Sequence, residues 1–351
     1  MNFKQLASTA LVATGLLVLG GCAKNPTTEA NAAAKRFFDA WMQVHYPDAT
    51  PSGIGIYILE ESTGTGAPYS SDADYVMLQY CIRNFEGTIS GSNTEALAKQ
   101  LGSYDKTNYY GPSVFQLSTS YAGLEAAMSG MRIGGKRKVV IPGWLMSLSR
   151  YASGAEYLKH ETGADNAIYD IELCDFTTDI NQWEVDSIVG YVARYMEGID
   201  STYVGGDTTA QKYGFYYQLL RESPDTVTIK SDSTFYIHYT GRLLNGQVFD
   251  TTIADTAKVH GIYDASRSYG PVSCTKGETY SDVQINVEAS TTSSSSKVIS
   301  GFGGAIFLMQ PYEKARTVFY SPLGYATQKS GIIPPYSPLR FDLELVDAPS
   351  N

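Results

Sequence analysis

Two hydrophobic periods organise this chain. Across residues 298–309, Phe302, Ile306 and Met309 fall at i, i+4 and i+7, which gives a short helix one apolar face. Across 340–346, Phe341, Leu343 and Leu345 alternate with Arg340, Asp342 and Glu344, the pattern of a half-buried antiparallel strand. Between them, Gly331-Ile332-Ile333-Pro334-Pro335 is an apolar loop that its prolines hold extended. The same periods recur upstream. Residues 30–44 read as a helix with Phe37, Phe38 and Trp41 clustered by period, ended by Pro47 and Pro51. Residues 55–61, 75–82, 169–176, 214–222 and 235–241 read as strands, and 181–198 as a second long helix.

The order of these elements repeats. The strand at 214–222 resembles the strand at 55–61, and Tyr239 corresponds to Tyr80, both at an offset of 159 residues. A helix precedes each of the two strands. This predicts an α+β chain of two modules, each with an extra helix in front: a tether and helix at 22–50, a first module at 51–177, a helical connector at 178–210 and a second module at 211–349. Within the second module, residues 251–297 read as an insertion that includes the all-Ser/Thr tract 290–296. A surface excursion, a lid and a client-binding loop are all open readings of it.

Composition narrows the partners. A length of 351 residues fits two domains, and a net charge of −10 argues against nucleic acid. The N-terminus is a targeting segment: Lys4 is followed by an apolar run at 6–19 and by Leu19-Gly20-Gly21-Cys22. That ending resembles the lipobox of bacterial lipoproteins. The resemblance implies a signal peptide at 1–21, a lipid on Cys22, and anchoring in the bacterial cell envelope, by default at the outer membrane, facing the periplasm or the surface. An ordinary secretory signal with a chance cysteine is the other reading. Cys81 and Cys174 lie on the outward faces of two strands, either as a cross-strand disulfide or as free thiols. With four His and no C-x-x-C, no metal site is expected.

Four spaced motifs then agree: Tyr239-Thr240-Gly241, Gly246-Gln247-Val248-Phe249-Asp250, Val298-Ile299-Ser300-Gly301-Phe302, and the Gly331–Pro335 loop. In this order they resemble the FKBP-type peptidyl-prolyl cis–trans isomerase family. The resemblance implies two modules, each an antiparallel sheet wrapped around a short helix, and an isomerase acting on unfolded or extended proline-containing polypeptides of the envelope, without a cofactor. It assigns catalytic positions to Tyr239, Phe249, Asp250, Ile299 through its N–H, and Tyr325, and substrate-binding positions to Val298, Phe302, Ile332, Ile333 and Phe341. Phe302 stands where the family usually has Trp, and Pro311-Tyr312 replaces its Val-Gly turn. The first module keeps Tyr80, Gly123, Leu124 and Ile141-Pro142, but Ile89-Ser90 occupies the Phe-Asp region and the apolar loop is missing, so it reads as a degenerate, non-catalytic copy. A chaperone or binding lipoprotein that has kept the fold and lost turnover is the alternative, and a homodimer through the preceding helices is a further expectation.

Overall fold

The structure is a computed structural model that describes residues 30–160, 162–196, 213–224, 229–230, 232–289 and 292–349. The leader, Cys22 and residues 197–212 lie outside the described residues. The first module comprises α1 (Ala32–His45), β1 (Tyr57–Ser62), β2 (Tyr75–Arg83), β3 (Ile89–Ser92), α2 (Glu95–Gln100), β4 (Ser113–Gln116), α3 (Ala122–Met128), β5 (Lys136–Ile141), α4 (Gly154–Tyr157) and β6 (Ala167–Thr177). After the connecting helix α5 (Ile180–Tyr195) come β7 (Phe215–Arg221), β8 (Thr234–Leu243), β9 (Val248–Thr251), α6 (Ala254–His260), β10 (Val272–Thr275), β11 (Gln284–Ala289), β12 (Thr292–Lys297), α7 (Ser300–Leu308), β13 (Lys314–Phe319) and β14 (Leu339–Val346).

Each module is one antiparallel sheet around one short helix, and the two sheets share a strand order. The first runs β1-β5-β6-β2-β3 with β4 also on β2; the second runs β7-β13-β14-β8, with β9 and β10 both on β8. The correspondence is residue by residue. Val248 lies 159 residues after Ile89, Ala254 after Glu95, and Val272 after Ser113. Beyond that point the offset grows: Lys314 lies 178 residues after Lys136, each the first residue of its strand. Much of the expected 251–297 insertion is therefore common to both modules through β10. What the second module has alone is the β11–β12 hairpin, which widens its sheet to eight strands.

The helices in front of the modules pack within the chain. Phe38 of α1 is 0% exposed, tilted against Tyr57 and edge-on to Trp144. Trp41 stacks on Phe85 at 3.8 Å, whereas Phe37 stays 58% exposed. The apolar face of α1 is thus covered largely by its own module, and its burial does not require a second copy. On the other side, α5 lays Ile188 and Val192 against Tyr216 and Val318 of the second sheet. Its N-terminus is capped by Asp179, which accepts from the N–H groups of Asn181 and Gln182. Glu184 on the same helix is 0% exposed and accepts from Ser321 N–H at 2.6 Å and Ser321 Oγ–H at 2.7 Å.

The Cys81–Cys174 disulfide does not form. Cys81 pairs across from Asp170, while Cys174 sits at the register shift beside Met77 and Leu78. Cys174 thus lies four residues along β6 from the residue opposite Cys81, roughly 13 Å, beyond the reach of a disulfide. All three described cysteines are free thiols. Intact mass of protein lacking residues 1–22 should be identical with and without reductant. A gain of two protons on reduction would restore the bond.

Candidate functional site

The cleft of the second module forms where the sheet folds over α7. Phe302, in the first turn of α7, is 3% exposed and stands edge-on to Tyr239 at 5.5 Å and to Phe341 at 5.1 Å. Phe249 meets Phe341 edge-on at 5.5 Å. These perpendicular contacts fix the ring planes more tightly than area burial alone would.

A backbone irregularity brings Phe249 and Asp250 to one side. Neighbouring strand residues normally face opposite ways. Here Gly241 pairs with Asp250 but Arg242 pairs with Val248, so Phe249 is the extra residue of a bulge, which re-aims it. Gly241 is needed underneath: a Cβ there would lie 2.5 Å from the Phe249 ring and 2.9 Å from Phe341. The sequence motif Tyr-Thr-Gly followed by Phe-Asp is thus a packing requirement.

All ten sequence-assigned positions line this one cleft of about 560 Å3: Tyr239, Phe249, Asp250, Val298, Ile299, Phe302, Tyr325, Ile332, Ile333 and Phe341. Val298 and Ile299 come from the turn between β12 and α7. Ile299 caps α7, its carbonyl accepting from Gly303 N–H at 3.0 Å. Its own N–H has no acceptor among the described residues. Tyr325 follows the short 3-10 turn Ser321–Leu323. Ile332 and Ile333 sit in the loop closed by the reciprocal Ser330–Ile333 bridge, at 2.9 and 3.0 Å, with Gly331 at φ +56°.

Arg267, which sequence reading left out, completes the polar end. Asp250 accepts from Tyr239 Oη at 2.6 Å and from Arg267 Nη1 at 2.5 Å. Burial, then the Asp250 charge, pushes the Tyr239 hydroxyl well above its usual range, so it remains a donor. Burial works against the charge on Arg267, but its bond to Asp250 raises its pKa overall. One signal was available: Asp264-Ala-Ser266 and Asp105-Lys-Thr107 form the same turn at the 159-residue offset, each with its Asp N–H bonded to a following Tyr hydroxyl. Ile285, Ser296 and Lys297 of the β11–β12 hairpin also line the cleft, so this hairpin is a wall of the site and not a remote excursion.

The first module keeps the scaffold without the chemistry. The same bulge occurs, with Ile82 opposite Gly91 and Arg83 opposite Ile89. Gly91 therefore stands at the Asp250 position and Ser90 at the Phe249 position, one residue beyond the expected Ile89-Ser90. Ile82 replaces Gly241, and its Cδ1 lies 3.8 Å from where a Gly91 Cβ would be. Asn108 stands at the Arg267 position, in place of the guanidinium. The apolar loop is replaced by a longer segment that contains α4, whose Tyr157 is 2% exposed.

The site is an open cleft with an aromatic floor, one carboxylate tethered by Tyr239 and Arg267, and one backbone donor, Ile299 N–H, without an acceptor among the described residues. A family model for FKBP-type peptidyl-prolyl cis–trans isomerases matches residues 271–346. The chain is 31% identical over 132 residues to FK506-binding protein 1 of Kluyveromyces lactis, covering 37% of this chain and 90% of that one. It is 28% identical over 144 residues to a probable FKBP-type isomerase of Haemophilus influenzae, covering 41% of this chain and 46% of the relative. The chain thus spans about half the length of that relative. A solved structure of the three FKBP domains of wheat FKBP73 aligns with 83% of this chain and 94% of its own at 18% identity and TM-score 0.29. The chain belongs to the FKBP-type peptidyl-prolyl cis–trans isomerase family.

Proposed function

We propose that the second module is a prolyl cis–trans isomerase for unfolded or extended segments of proteins in the bacterial envelope, and that the first module is a non-catalytic partner to it. The observation that carries this reading is the convergence of all ten positions on one cleft, with Asp250 held between Tyr239 and Arg267. The reaction needs no bond made or broken. Its barrier of about 18–20 kcal/mol is the amide resonance lost on twisting. A twisted amide is less polar at its carbonyl than a planar one. The floor of Phe302, Phe341 and Phe249 therefore favours the twisted form over the planar ground state. The Ile299 N–H anchors the carbonyl of the residue before proline, with the Tyr325 hydroxyl as a second donor. Asp250, fixed by two donors, holds the polar rim without reorganising during rotation.

The leader supports export and a lipid on Cys22, which would hold the modules at a membrane surface. Among the described residues, no helix is long and apolar enough to cross one. A proline-limited refolding assay with protein lacking residues 1–22 tests the activity. No acceleration by folded protein, across several residues preceding proline, would leave the chaperone reading in its place. An isolated 30–177 fragment, which keeps α1 on its module, should give no acceleration, because Gly91 and Ser90 offer neither the carboxylate nor the ring. Turnover above background by that fragment would reassign the first module.

A further inference from the structure

A second opening lies between the modules. The first module contributes Tyr109 and Val114, α5 contributes Trp183, and the second module contributes Leu244, Pro334 and Tyr336 to a groove of about 350 Å3. Its one charged lining residue is Asp175. That carboxylate is already engaged, accepting from Trp183 Nε1 at 2.8 Å on one oxygen and from Phe176 N–H at 2.9 Å on the other. In a chain of net charge −10, this groove is a nearly uncharged, aromatic and proline-lined surface.

The groove shares a loop with the cleft. Ile332 and Ile333 line the cleft, whereas Pro334, Pro335 and Tyr336 line the groove. Consecutive Cα atoms are about 3.8 Å apart, so the two sites meet across a single residue step. The base of the loop is clamped. Ala326 and Tyr336 both adopt left-handed backbone at φ 51° and 56°, and Tyr336 N–H donates to Ala326 O at 2.8 Å. Non-glycine residues in that region mark a conformation that the surroundings enforce. A contact from the other module meets the loop there: the Tyr336 ring stands edge-on to Tyr75 of β2 at 5.5 Å. Gln247 fastens the modules nearby, donating from Nε2 to Lys106 O at 2.9 Å and to Asn108 O at 2.8 Å.

We infer that this groove binds the stretch of client polypeptide flanking the proline held in the cleft, so that the catalytically empty first module supplies substrate affinity. The occupant is an extended, uncharged segment rich in aromatic and aliphatic residues. Continuity with the cleft and the lack of free charge both select it, and aromatic grooves suit the preformed extended helix that proline-containing segments adopt. The direction of the client rests on the isomerase reading, but the binding itself does not.

The test uses protein lacking residues 1–22, with Val114→Glu on β4 and Ser187→Glu on α5 each placing a charge in the groove lining. Val114 and Ser187 are half-buried and outside the hydrophobic cores. Two substrates are compared: a tetrapeptide with one Xaa-Pro bond, which fills the cleft alone, and an uncharged unfolded polypeptide of about 30 residues with the same bond, long enough to span both sites. Fluorescence anisotropy of the labelled longer polypeptide gives binding without turnover. Each variant should raise its Kd and KM roughly tenfold, the order of a charge forced into a desolvated contact, and leave tetrapeptide kcat/KM unchanged. Unchanged Kd in both variants overturns the inference, as does an equal loss on both substrates. If neither substrate is turned over by the parent protein, the isomerase reading fails while anisotropy still decides the groove: parent binding lost in both variants supports it, and no parent binding overturns it. A parent dimer that both variants dissociate, in sedimentation, would give the groove to a second copy and overturn the inference.

Discussion

A Phe249→Ala/Asp250→Leu double variant is expected to lose prolyl isomerisation by about a hundredfold or more, the order seen when a preorganised catalytic contact is removed. The two residues act together because one bulge places both in the cleft. Ala at 249 removes the ring that stands edge-on to Phe341 and opens the floor to water. Leu at 250 removes the acceptor that holds Tyr239 Oη and Arg267, and leaves a guanidinium at the rim without its carboxylate. Phe249 is half-buried, so its truncation should cost less than the ~3–5 kcal/mol of a fully buried Phe→Ala change. Thermal unfolding separates lost turnover from lost fold. The single change Tyr325→Phe, which deletes only a hydroxyl, should fall between parent and double variant. A folded double variant with parental kcat/KM on a tetrapeptide would remove this cleft as the catalytic site.

The second large effect concerns stability and pH. Glu184 is fully buried, and burial raises its pKa from the ordinary 4.5 to about 7, against the lowering effect of its backbone and side-chain bonds from Ser321. The folded chain thus holds this proton at pH values where the unfolded chain has released it. The stability contributed by protonated Glu184 is fully present below about 4.5 and is lost as pH rises through about 7. A shift of this size corresponds to a swing on the order of 3 kcal/mol. Glu184→Gln keeps an acceptor and removes the titration. Denaturant unfolding from pH 5 to 8.5 should show parental stability falling relative to the variant across that window. Parallel curves for the two proteins would sink the assignment. Because Ser321 opens the turn that leads to Tyr325, the same bond ties the connecting helix to the cleft.

Much of the site was legible because it is local in sequence. The alternation at Phe341, Leu343 and Leu345, the helical spacing of Phe302, Ile306 and Met309, and the Tyr-Thr-Gly and Phe-Asp pairs each encode their own geometry, and all of these residues reached their expected places. Arg267 left only one trace in the sequence, the Asp-x-Ser/Thr turn repeated at the 159-residue offset. It lies 17 residues from its partner Asp250 in a segment without period, and only folding brings the charges together. Which part of residues 251–297 is peculiar to the second module was not legible for a similar reason. β12 is almost all Ser and Thr, which carry no hydrophobic pattern, so its pairing to β11 and the contact of the hairpin with the cleft are decided by the sheet.

The sequence by itself determined the family, the tandem repeat and the residues of the aromatic floor, because period, glycine placement and short motifs act within a few residues of chain. Tertiary structure alone decided that Cys81 and Cys174 are too far apart to bond, that Gly91 stands where a carboxylate is needed, that Glu184 is buried against Ser321, and that Tyr75 of one module packs against the cleft loop of the other. Each depends on strand register or on packing between distant segments, and a one-residue change in register exchanges the faces on which every side chain lies.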